Sequence, residues 1–162
     1  EDLDHLYSQI DTVGFRGCDF CVSNFWPMSS DTGLTNESML TLHQSSLQKT
    51  NQNTNAVLPL FINKLHPRYV FLSNLGGYYQ RPPFPIPFSN NAFQESSSTT
   101  PSLSKLFCRI ITLDKVSSSK DKNHKYLHAL SLSPLLFMKK EEVEVEPSDA
   151  TPNPYDLYQQ ES

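Results

Sequence analysis

The sequence predicts an α/β fold with long polar loops, and three observations carry that prediction. Arg68-Tyr69-Val70-Phe71-Leu72 is a β-branched and aromatic run of the kind that favours a buried strand. Residues 56–65, just before it, are apolar at helical spacing, so a helix leads into that strand. Two further strand-like runs come later, residues 106–113 and 126–132, which the Ser- and Lys-rich stretch 117–125 joins into an expected antiparallel hairpin.

In chain order, residues 2–10 place Leu3, Leu6, Tyr7 and Ile10 on one face of a short amphipathic helix, with Asp2 and Asp4 near its positive end. Residues 15–22 read as a strand that stops at Ser23-Asn24-Phe25-Trp26-Pro27, because Pro27 cannot continue a ladder; Trp26 is expected to plug the core below it. Residues 29–55 are rich in Ser, Thr, Asn and Gln and hold too little apolar surface to offset the entropy of ordering, so a mobile insertion is expected. Leu40, Leu42 and Leu47 are its candidate tacking points. The 56–65 helix is expected to pack through Val57, Leu60, Phe61 and Leu65, with Pro59 tolerable near its first turn. After the 68–72 strand, Ser73-Asn74-Leu75-Gly76-Gly77 supplies a sharp loop, the place where open α/β sheets carry their sites. A second flexible polar loop spans 89–104, and residues 139–162 read as an acidic, Pro-containing linker that docks through Tyr155 and Tyr158.

Bulk properties bound the function. The 162 residues suffice for one domain with a modest core, and no apolar run has membrane length. A net charge of -4 argues against a broad electrostatic grip on nucleic acid, because that grip needs many Lys and Arg, and leaves room for a local basic patch. Three Cys, an odd number, fit a reducing compartment better than a disulfide framework. Glu1 opens inside an expected helix, so the chain reads as part of a longer protein.

The candidate motifs are weak as chemistry. Cys18 and Cys21 are three apart on a strand, hence on opposite faces, and no second pair completes four zinc ligands; they read as structural thiols. Asp31-Thr32-Gly33 comes after polar residues and occurs once, so it is a turn rather than half of an aspartic dyad. His5, His66 and His128 read as structural. The loop at 73–77 has no proton-transfer or metal-binding side chain, and it leads into Tyr78, Tyr79, Arg81 and Phe84 within a Pro-rich extended run. Those four are contact candidates for a partner protein or for RNA bases; the alternative is that they cover the sheet edge.

Five stretches in this order, Trp26-Pro27, Pro67-Arg68-Tyr69, residues 78–84, residues 125–132 and Asn153-Pro154-Tyr155, resemble the CwfJ-type proteins, spliceosome-associated relatives of the intron-lariat debranching enzyme. The resemblance covers residues 1–155. It implies that residues 1–138 are the second half of a calcineurin-like metallophosphoesterase β-sandwich flanked by helices, with earlier metal ligands upstream of Glu1. In the debranching enzymes the segment matching Asn24 and Phe25 reads His-Asp, and that histidine binds metal. The loop after Tyr69 carries two further ligand histidines, at the positions of Asn74 and Gly76. A dinuclear centre needs such donors to hold two cations, and an amide and a glycine replace imidazole poorly. The resemblance therefore implies no metal or other cofactor and a non-catalytic nuclear module in pre-mRNA splicing. This module would assist lariat debranching by binding the debranching enzyme, late spliceosomal proteins and intron-lariat RNA. Two alternatives stay open: a residual metal-dependent nuclease, and a structural spliceosome scaffold.

Overall fold

The computed structural model describes residues 5, 8–9, 15–44, 54–73, 75–88, 104–118 and 124–156. It is mixed α/β, built on a five-stranded sheet with both parallel and antiparallel pairings. Strand β1 (Phe20–Ser23) pairs in parallel with β4 (Tyr69–Leu72), with Phe20 opposite Tyr69 and Val22 opposite Phe71. β4 pairs in parallel with β7 (Ser104–Thr112), Tyr69 opposite Arg109 and Leu72 opposite Thr112. β5 (Tyr79–Gln80) and β6 (Phe84–Phe88) both run antiparallel to β7. A second, two-stranded sheet joins β2 (Trp26–Pro27) to β3 (Thr54–Asn55).

Alternation assigns the two faces. Val70, Leu72 and Ile110 are buried on the inner face, where helix α2 (Leu58–Leu65) lays Leu58 and Ile62 into the same cluster as Trp26, Phe84, Ile86 and Tyr155. On the outer face, Phe20 and Val22 are 58% and 64% exposed. A smaller cluster of Leu106, Leu135 and Val143 closes one end.

The helix before β4 forms as expected, but its buried face is turned. Leu58, Pro59 and Ile62 are buried, whereas Val57 and Leu60 are exposed. Apolar residues surround this helix on nearly all sides, so both the 57/60/61 and the 58/61/62 stripes satisfy the period; the sheet selects the second. Asn55 fixes the entry, its Oδ1 accepting from Val57 N at 2.8 Å and Leu58 N at 2.9 Å.

The expected 106–113/126–132 hairpin does not form. The end of β7 next to the connecting stretch is already paired on both sides, by β4 along 109–112 and by β5 at 111–112, so a hairpin cannot start there. Residues 126–132 form neither strand nor helix and are tethered by the Asp114 N to Lys125 O bond, by His128 against the Phe71 ring, and by Arg68 Nη1 donating to Ser133 O at 2.7 Å.

Residues 29–55 are more ordered than a mobile insertion where described: a turn crosses 28–33, Ser30 is buried, and α1 (Asn36–Gln44) comes next, with Leu42 against the core. Most of the 2–10 helix, the 89–103 loop, Leu47 and Tyr158 lie outside the described residues, although His5, Ser8 and Gln9 are helical. The expected linker from residue 139 folds back. After the 3-10 turn Leu135–Phe137, helix α3 (Lys140–Val143) buries Val143, and Thr151, Asn153 and Tyr155 are buried beyond it. Acidic residues make this stretch look like a tail, yet its few apolar and small polar side chains face the core.

Candidate functional site

The sequence singles out two places, the ends of β1 and β4 and the 78–84 run, and they turn out differently. At the strand ends, Ser73 N donates to Ser23 O at 3.0 Å, and Ser73 Oγ donates to Asn24 Oδ1 at 2.7 Å. The parallel pairing of β1 with β4 brings these two loops together at one end of the sheet. Gly76 adopts a φ of +83, which supplies the bend. Asn74 lies outside the described residues. This corner offers an amide, a hydroxyl and a glycine, a donor set that does not fit a dinuclear metal centre. Among the described residues, no three His, Cys, Asp or Glu side chains gather as metal ligands.

The 78–84 run is mostly interior, which corrects its reading as a contact surface. Tyr79 is 2% exposed, and Arg81 and Phe84 are fully buried. The register explains why. Gln80 faces Ile111 and Phe84 faces Cys108, so residues 81–83 on one strand oppose 109–110 on the other. That extra residue is a β-bulge, which bends the strand and turns Arg81 inward. Tyr78 alone of the four stays partly accessible, with Lys125 Nζ 4.5 Å from its ring centroid and its hydroxyl donating to Gln80 Oε1 at 3.2 Å.

Arg81 is the hub of a buried polar knot. Nε donates to Ser30 O at 2.7 Å, Nη1 to Pro82 O at 2.8 Å and to Thr151 Oγ1 at 3.0 Å, and Nη2 to Thr32 O at 3.1 Å. Its guanidinium also lies 4.6 Å over the Phe84 ring. Among the described residues, no carboxylate pairs with it, and burial lowers its affinity for the proton. The Tyr155 and Ser30 hydroxyls share a short hydrogen bond, and Tyr155 meets Phe84 edge-on at 5.4 Å. Trp26 and Tyr79 pack at 6.2 Å. Thus Trp26-Pro27, residues 79–84 and Asn153-Pro154-Tyr155, which are far apart in sequence, meet in one knot. Ser30 and Thr151 carry no sequence signal of their own; each is an ordinary polar residue in a polar stretch, recruited by a buried cation.

Burial pushes Cys18 up to about 11 and raises Cys21 and Cys108, so none presents a thiolate at neutral pH. No described helix is long and apolar enough to cross a membrane. Compared with known proteins, the chain matches no family model and no curated sequence.

Proposed function

We propose that the chain is a non-catalytic, metallophosphoesterase-like module of a nuclear, splicing-associated factor that assists intron-lariat debranching by binding the debranching enzyme and the late spliceosome. The carrying observation is the corner between β1 and β4, where Asn24 and Ser73 satisfy each other at 2.7 Å in the place where a phosphodiester-cleaving relative presents imidazoles. The resemblance supplies the biological role. The sandwich assignment rests on the resemblance; on the outer face, residues 126–133 touch the sheet through His128 against the Phe71 ring and Ser133 O accepting from Arg68.

Burial of Tyr79, Arg81 and Phe84 moves the contact surface elsewhere. Phe20, Val22 and Phe25 stand exposed along and just beyond β1, an apolar strip at a sheet edge. The test is a reconstituted debranching reaction with purified debranching enzyme, branched RNA and this chain. The chain raises the rate and cleaves nothing alone, and a Phe20→Ser/Val22→Ser variant with unchanged melting loses the stimulation. An unchanged rate with saturating chain, or cleavage of branched RNA by the chain alone, overturns the reading.

A further inference from the structure

We infer that Ser133 is a phosphorylation site for a proline-directed protein kinase, with Arg68 placed to receive the phosphate. Such kinases take their substrate as an extended strand with proline directly after the acceptor, so that the hydroxyl stands clear of its own backbone. Residues 126–134 belong to neither helix nor strand, so no ladder holds the acceptor, and Pro134 itself is extended at φ -58 and ψ 135, the polyproline region. Ser133 is exposed, and its hydroxyl makes no hydrogen bond among the described residues. The sequence has two other such pairs. Thr151-Pro152 is withheld, since Thr151 is buried and its hydroxyl accepts from Arg81 at 3.0 Å, while Thr100-Pro101 lies outside the described residues.

The transfer balances with ATP as the donor. Ser133 Oγ forms a bond to the γ-phosphorus as the bond from that phosphorus to the bridging oxygen breaks; ADP leaves, and the hydroxyl proton passes to the base of the kinase. The product carries a charge of about -1.5 to -2 at neutral pH. Arg68 Nη1 is already 2.7 Å from the carbonyl of the same serine and 3.2 Å from Asp19 Oδ1. A phosphate there competes with Asp19 for the guanidinium, because a doubly charged oxyanion makes the stronger paired hydrogen bonds. Asp19 Oδ1 also accepts from Leu135 N at 2.9 Å, so the competition reaches the turn at Leu135–Phe137.

The experiment incubates the full chain with ATP and a proline-directed kinase and maps the product by tandem mass spectrometry. One phosphate on Ser133 is expected, lost in Ser133→Ala, with Thr151 unmodified. Phosphorus NMR then reads the second ionisation of the phosphoserine, expected about half a unit lower in the chain than in a phosphopeptide of residues 129–138. The difference vanishes in Arg68→Gln, or shrinks in Arg68→Lys should the glutamine variant fail to fold. A folded chain left unmodified at Ser133 while the peptide is fully phosphorylated overturns the site; equal ionisation in chain and peptide overturns the role of Arg68.

Discussion

A buried guanidinium without a carboxylate must be held by neutral acceptors, and Arg81 has three backbone carbonyls and a threonine hydroxyl around it. Removing it takes the donor from two buried acceptors, Ser30 O and Thr151 Oγ1, at about 1–3 kcal/mol each before the cavity is counted, while the part-buried carbonyls of Thr32 and Pro82 can turn to water. Arg81→Ala is therefore expected to lower stability by about 3–5 kcal/mol, read as a drop in the urea midpoint; a residue serving only as a contact would leave that midpoint in place. Tyr79 makes the opposite case. Its hydroxyl is buried and has no partner among the described residues, and burial pushes its phenol from 10.0 up to about 12. An acid whose folded pKa is raised contributes stability that is complete below its unfolded pKa and is lost as pH rises through the folded one. Stability should thus fall between pH 10 and about 12. Tyr79→Phe should flatten that alkaline decline and add about 1 kcal/mol at neutral pH, since it removes a dry hydroxyl without changing the ring. An alkaline series of urea melts on both proteins decides the matter. Nothing in the letters of Tyr78-Tyr79-Gln80-Arg81 tells which side chain points inward; a bulge decides that, and a bulge is a property of two strands.

At the scale of elements, local pattern is enough for some features and not for others. The strand at 69–72 and the helix ahead of it are legible because β-branched density and apolar spacing are local signals. Partner choice is not local. Residues 126–132 have the composition of a strand, but the end of β7 nearest to them is paired on both edges, by β4 and by β5. β6 shows how an edge is closed. Pro85 and Pro87 alternate, so they present no N–H outward while Phe84 and Ile86 remain free to bond β7, which blocks a further strand. Gly17, at the entry to β1, carries no sequence signal at all, yet it sits at φ +115 with the site of an added Cβ only 2.6 Å from His66 O. His66 is the left-handed cap of α2, and Cys18 N bonds Leu65 O beside it, so the end of the helix lies directly against the entry to β1. Gly17→Ala combines backbone strain with a clash against main chain and is expected to cost about 2–4 kcal/mol, measurable as a lowered melting temperature.

Over the whole molecule, the decisive fact is that the chain closes on itself through its acidic end. A boundary at 138/139 is what composition suggests, because Lys139 to Glu146 is charged and the rest is rich in proline. The core disagrees: Val143 caps the cluster of Leu106 and Leu135, Thr151 completes the Arg81 cradle, and Tyr155 is fully enclosed against Phe84. Asn63 Nδ2 of α2 also donates to Tyr155 O at 3.1 Å, so helix, bulge and returning segment hold one another. Charge patterning could not reveal this, because the few side chains that bury are spaced by residues that remain in water. If 1–138 were a self-sufficient unit, a chain ending at Met138 would melt cooperatively near the temperature of the full chain. The packing predicts otherwise: the truncation exposes Phe84 and the Leu106 end of the sheet and strips Arg81 of a hydrogen-bond partner. The shortened chain should bind a hydrophobic dye, unfold over a broad range and lose near-ultraviolet signal from its aromatic core. A synthetic peptide of residues 139–156 added in excess should restore part of that signal, since it brings back the Thr151 N to Pro83 O bond, the Thr151 hydroxyl for Arg81 and the Tyr155 ring against Phe84.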